Sequence, residues 1–73
     1  MSINKRVGRR IKVRRVQLGI TQAELAQKLS VGQSNLSYIE RGERDVSVSL
    51  LEEIATALKC KPEYFLQDFQ DAA

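Results

Sequence analysis

Gln33, Ser34, Ser37, Tyr38 and Arg41 bring hydrogen-bond donors, acceptors and a cation together at spacings of one, three and four residues. On a helix that spacing gathers them on one side. Their chemistry is recognition: a glutamine amide can pair bidentately with adenine, a serine hydroxyl donates or accepts, and a tyrosine ring meets a thymine methyl or a phosphate. Leu36 and Ile39, three apart within the same run, are the residues such a helix would bury. No catalytic set competes with this reading. There is no histidine and one cysteine, Cys60, which excludes a Cys/His zinc set, a Ser/His or Cys/His pair and an internal disulfide. An enzyme is not expected, nor a metal or cofactor.

The elements that would hold this face are short helices. Ile3, Val7, Ile11 and Leu18 recur at helical spacing and predict a first helix over 3–18, stopped by Gly19. Thr21 and Glu24 form a capping box that opens a second over 22–29, with Leu25, Ala26 and Leu29 inward. A third spans 33–41 and ends at Gly42. Ser47 caps a fourth to about Lys59, its apolar residues being Val48, Leu51, Ile54, Ala55 and Leu58; Ser49 with Glu52 offers an alternative start. Pro62 suits the first turn of a fifth, with Tyr64, Phe65, Leu66 and Phe69 as its apolar face.

Two helices of about two turns joined by three or four residues must cross steeply, which makes the second and third a helix-turn-helix. Ala26 fits where the two backbones come close, and Leu25, Leu29, Val31, Leu36 and Ile39 would share a core. The 73 residues, 42% hydrophobic and 29% charged, suit one small domain over 1–73, with a core over 3–67 and a frayed tail over 70–73. The net charge of +3 hides a gradient. Residues 1–23 carry seven bases (Lys5, Arg6, Arg9, Arg10, Lys12, Arg14, Arg15) and no acid, residues 24–44 balance, and residues 45–73 carry two bases against six acids. One end should therefore attract polyanions.

The run Gln22-Ala23-Glu24-Leu25-Ala26-Gln27-Lys28-Leu29, followed by Gln33-Ser34-Asn35-Leu36-Ser37-Tyr38-Ile39-Glu40-Arg41-Gly42, resembles the lambda-repressor-like (Cro/CI, XRE-type) DNA-binding domain of phage and bacterial repressors. The resemblance extends over 3–67, through Leu51-x-x-Ile54-Ala55-x-Ala57-Leu58 and Pro62-Glu63-Tyr64-Phe65-Leu66. It implies an all-α, five-helix fold in which Gln33, Ser34, Ser37 and Tyr38 face the major groove. Gln22, Asn35 and Arg41 would lie near the sugar-phosphate backbone; Thr21 and Arg44 are expected beside them from their own polarity and charge, not from the resemblance. Arg15 and Glu40 match a family ion pair that orients the recognition helix. Ser30 and Lys59 stand where the family usually has glycine, which puts a strained or reshaped turn at 30 and a doubtful cap at 59.

The function expected from these residues is a sequence-specific regulator of transcription, a repressor that binds double-stranded DNA as a homodimer on a pseudo-palindrome, of the Cro-like, phage, plasmid or restriction-modification controller type. Pro62, Tyr64 and Phe65 would form the subunit contact. Activation through RNA polymerase, by a surface such as Glu40 to Glu43, stays open. So do an antitoxin or protein-interaction module that keeps the fold, and a basic helix that coats RNA or acidic membrane. Cys60 reads as a small buried apolar residue. No apolar run approaches the roughly 20 residues of a membrane span, and the amino terminus lacks the apolar stretch of a secretory signal, so a cytoplasmic protein is expected.

Overall fold

The computed structural model describes residues 3–67 and folds them into five helices: α1 (Ile3–Gln17), α2 (Gln22–Leu29), α3 (Gln33–Glu40), α4 (Val48–Ala57) and α5 (Glu63–Leu66). Phe69 and the tail over 70–73 lie outside the described residues. The helix starts follow the sequence pattern. Thr21 Oγ1 accepts from the Glu24 amide at 3.1 Å while the Thr21 amide donates to Glu24 Oε1 at 2.8 Å, so both halves of the capping box form. Ser47 accepts from the Leu50 amide, which settles the start of α4 in its favour over Ser49.

The first four helices end by one device. Gly19, Ser30, Gly42 and Lys59 all take the left-handed conformation, with φ of 69°, 56°, 75° and 57°. Just beyond each, an amide turns back onto a carbonyl of the last turn: Ile20 to Arg15, Val31 to Ala26, Glu43 to Tyr38 and Cys60 to Ala55, at 2.9 to 3.1 Å. Carbonyls left over at a helix end are satisfied in this way. The missing glycines at 30 and 59 therefore reshape neither turn. A side chain there gives up roughly 1 kcal/mol, and each turn offsets it by closing its bonds and laying Val31 or Cys60 on the core.

Every helix contributes to one core. Val7 and Ile11 come from α1, Leu25, Ala26 and Leu29 from α2, Leu36 and Ile39 from α3, and Leu51, Ile54 and Ala55 from α4, closed by Leu58 and Phe65. At about 1.5 to 3 kcal/mol for each large side chain buried, these contacts outweigh the weak propensity of such short helices. Val48 does not join them. It is 75% exposed, because it occupies the first position of α4, ahead of Leu51, the first residue which that helix buries. Ile3, at the start of α1, is exposed for the same reason.

One close approach was not apparent in the apolar pattern. Gly8 lies in the middle of α1, and a Cβ there would sit 2.3 Å from the Ile39 carbonyl oxygen and 2.7 Å from that of Glu40. Glycine lets the backbone of α1 rest directly on the end of α3. That contact joins the core and the bonds to Glu40 in setting α3 against α1 and α2.

Candidate nucleic-acid interface

With Leu36 and Ile39 inward, α3 presents Gln33, Ser34 and Tyr38 as exposed residues and Ser37 as a half-buried one. Gly32 occupies the cap position of α3 and has no side chain to give, and among the described residues the side chains of Gln33 and Ser34 take part in no hydrogen bond. Together with Gln22, Ser37, Tyr38 and Arg41 they line an open hollow of about 360 Å³. All six lining residues come from the sets read from the sequence.

Beneath the hollow lies a buried polar junction. Arg15 Nε donates to Glu40 Oε2 at 2.8 Å and Arg15 Nη2 to Glu40 Oε1 at 3.1 Å, while Arg15 Nη1 donates to the Ile20 carbonyl at 2.8 Å. Gln22 Nε2 donates to Glu40 Oε1 at 3.1 Å. The amide of Gln22 is thus anchored at the floor, and the start of α2 is tied to the end of α3. Glu40 is buried by these partners, which removes it from any surface available to a polymerase; Glu43 is exposed. Thr21 is exposed, with its amide and its hydroxyl oxygen both engaged by Glu24.

The flank of the hollow is cationic. Arg41 Nη1 donates to Ser37 Oγ at 2.7 Å and Arg41 Nη2 pairs with Glu43 at 3.4 Å. Arg44 Nη1 donates to Asn35 Oδ1 at 2.9 Å. Both guanidiniums lie over the ring of Tyr38, 4.8 and 5.0 Å from its centroid. Asn35 is half-buried, and its side-chain oxygen holds Arg44.

The basic residues of α1 divide in a way that composition did not reveal. Arg14 donates to the carbonyls of Leu58 and Lys59 at 3.0 and 3.3 Å, closing the end of α4, and Arg10 lies over Tyr64 at 5.2 Å. On α5, Phe65 is 0% exposed, packed in the subunit core with the Tyr64 ring edge-on at 5.3 Å. Its expected place in a subunit contact is corrected, since a side chain already enclosed has no surface left to offer a second chain. Pro62 and Tyr64 remain half-buried. Cys60 is half-buried too; burial pushes its thiol up, and Arg14 opposes the shift. Among the described residues no group of His, Cys, Asp and Glu could hold a metal ion, and no helix is long and apolar enough to cross a membrane.

A family model described as helix-turn-helix matches residues 11–65. The HTH-type transcriptional regulator ImmR of Bacillus subtilis is 37% identical over 60 residues, covering 82% of this chain and 47% of that protein. Among solved structures, the master regulator for biofilm formation SinR in complex with DNA superposes with a TM-score of 0.79 at 35% identity, covering 84% of this chain and 98% of that one. The restriction-modification controller protein C.AhdI from Aeromonas hydrophila does so with a TM-score of 0.80 at 31% identity, covering 84% and 92%. This chain spans about half the length of the curated relatives it matches.

Proposed function

Since the chain belongs to the helix-turn-helix family whose model spans residues 11–65, and relatives across that family are transcriptional regulators and phage repressors, we propose that it is a sequence-specific double-stranded DNA-binding regulator. It acts in the cytoplasm as a repressor, by occluding a promoter. The observation that carries this is the start of α3, where Gln33 and Ser34 stand exposed on a polar hollow and, among the described residues, their side chains take part in no hydrogen bond. A helix of this size fits the major groove. Gln33, Ser34 and Ser37 read base edges. Thr21, Gln22, Asn35, Arg41 and Arg44 border the phosphate backbone on either side, and Tyr38 stands between the two sets.

One such module contacts few base pairs, so a homodimer on a pseudo-palindrome, with half-sites roughly 34 Å apart, supplies the discrimination a genome requires. Support for the seam comes from α5 and its surroundings, where Pro62 and Tyr64 are half-buried and Leu66 and Ile3 are 50% and 56% exposed. These residues, without Phe65, form the proposed contact. Selection of binding sites from random duplex DNA, followed by mobility shifts at several salt concentrations, tests the whole reading. The expected result is one palindromic consensus bound far more tightly than scrambled DNA, with affinity falling steeply as salt rises. Equal binding to all sequences would instead identify a non-specific polyanion binder, and absence of binding an interaction module that keeps the fold.

A further inference from the structure

We propose that Tyr38 is a positioning residue for a two-arginine clamp on the phosphate backbone: its ring seats the Arg41 and Arg44 guanidiniums so that both meet the duplex as one pre-set unit. The inference rests on the DNA-binding reading and adds a role that neither the family match nor the hollow assigns. Arg41 is the last cap residue of α3 and Arg44 lies in the irregular connection beyond it. Long side chains leaving such a segment would ordinarily sample many rotamers, and fixing each on binding costs affinity.

Here they are fixed beforehand, from α3 itself. The face of an aromatic ring is electronegative and attracts a guanidinium lying over it, and Tyr38 holds two at 4.8 and 5.0 Å. Hydrogen bonds set the rotation of each: Ser37 Oγ accepts from Arg41, and Asn35 Oδ1 accepts from Arg44. Three polar positions along α3, Asn35, Ser37 and Tyr38, thus aim two cations, one at the cap of the helix and one in the connection beyond it. Two like charges over one ring repel each other; the half-exposed Glu43 carboxylate, 3.4 Å from Arg41, offsets part of that repulsion, and a phosphate oxygen placed against both guanidiniums relieves more of it. Tyr38 also stays 39% exposed, so the seat is open to the solvent from which a polyanion arrives.

The test uses the full chain with Tyr38→Leu and Tyr38→Phe, the duplex found by site selection, and a scrambled duplex. Tyr38→Leu keeps bulk but removes the ring face, and it should weaken both duplexes by the same factor, roughly tenfold. Tyr38→Phe, which keeps the ring, should restore binding of both. In the Tyr38→Leu background, Arg41→Ala and Arg44→Ala should each lose less affinity than they do alone. Proton NMR of the free protein should show the δ-methylene protons of Arg41 and Arg44 shifted upfield by the ring, and Tyr38→Leu should abolish the shift. Loss confined to the selected duplex, an equal defect in Tyr38→Phe, additive arginine effects, or no upfield shift would each overturn the clamp while leaving DNA binding standing. A wild-type chain that binds no duplex but shows the upfield shifts would overturn the DNA-binding reading, and the clamp with it.

Discussion

Arg15 and Glu40 lie 25 residues apart in the chain and meet through two hydrogen bonds of 2.8 and 3.1 Å, with side chains 11% and 3% exposed. The attraction in such a pair is largely offset by the hydration both groups have lost, so its presence says little about net stability. Breaking it is another matter. Glu40→Ala leaves a guanidinium enclosed without its anion and should destabilise the fold by about 3 to 5 kcal/mol in urea unfolding. Arg15→Met combined with Glu40→Leu should recover most of that loss. A double variant as unstable as the single one would show that the pair itself stabilises the molecule.

The start of α2 carries a pH dependence. The Thr21 amide, and after it the Thr21 side chain, hold the Glu24 carboxyl below its ordinary value of 4.5, with Lys28 assisting and burial opposing. A carboxyl whose folded value is depressed contributes stability that is present above the unfolded value and lost as pH falls through the folded one. In carbon-detected NMR, Glu24 should therefore titrate below the midpoint it shows in the unfolded chain. Thr21→Ala removes the hydroxyl but keeps the amide, so it should shrink that displacement without abolishing it, and should cost about 1 kcal/mol at neutral pH. An undisplaced Glu24 would mean that the box is not formed in solution.

The left-handed turns at Ser30 and Lys59 invite the opposite kind of substitution. Glycine adopts φ near 56° or 57° without the Cβ penalty but gives up more entropy on folding. The first effect is the larger, so Ser30→Gly and Lys59→Gly should each raise stability by about 0.5 to 1 kcal/mol, seen as higher urea midpoints at an unchanged slope. A fall in midpoint would show that neither side chain is strained.

Glu43 sits where it opposes the proposed partner. Its bond to Arg41, 3.4 Å long with both side chains about half exposed, adds little to stability. Its charge beside the arginine proposed to meet phosphate nevertheless repels a polyanion. Glu43→Gln should tighten binding to selected and scrambled duplexes alike, by roughly twofold to threefold at low salt, and the gain should fade as salt screens it. Fluorescence anisotropy across a salt series distinguishes this from an unchanged or weakened affinity.

Helix boundaries and the core were legible because they follow from local rules. Thr21 with Glu24, Ser47, Gly19 and Gly42 mark ends through backbone bonds to near neighbours, and Leu25, Leu29, Leu36 and Ile39 mark faces through periodicity. The polar hollow was legible for the same reason, being what remains of α3 once its apolar side is assigned. Other features depend on contacts between distant segments. Nothing in the spacing of Gly8 shows that α1 rests on the carbonyls of Ile39 and Glu40. Arg14, read as one charge in a basic run, closes the end of α4 some 44 residues away. The stacking of Arg41 and Arg44 on Tyr38 depends on how the connection after α3 folds back, which no periodicity encodes. Phe65 was misplaced because an aromatic residue on a short helix serves equally well as core or as interface, and only the packing decides.

The most direct test of the account is the pair Gln33→Ala and Arg41→Ala, each measured by anisotropy against the selected duplex and its single-base variants, with unfolding followed in parallel. Gln33→Ala should leave stability unchanged, weaken the selected duplex by about 1 to 3 kcal/mol and erase preference at one base pair, whereas Arg41→Ala should weaken every duplex equally and flatten the salt dependence. If Gln33→Ala instead unfolds the protein while its discrimination between bases survives, the exposed start of α3 is a structural element and the proposed recognition surface is wrong.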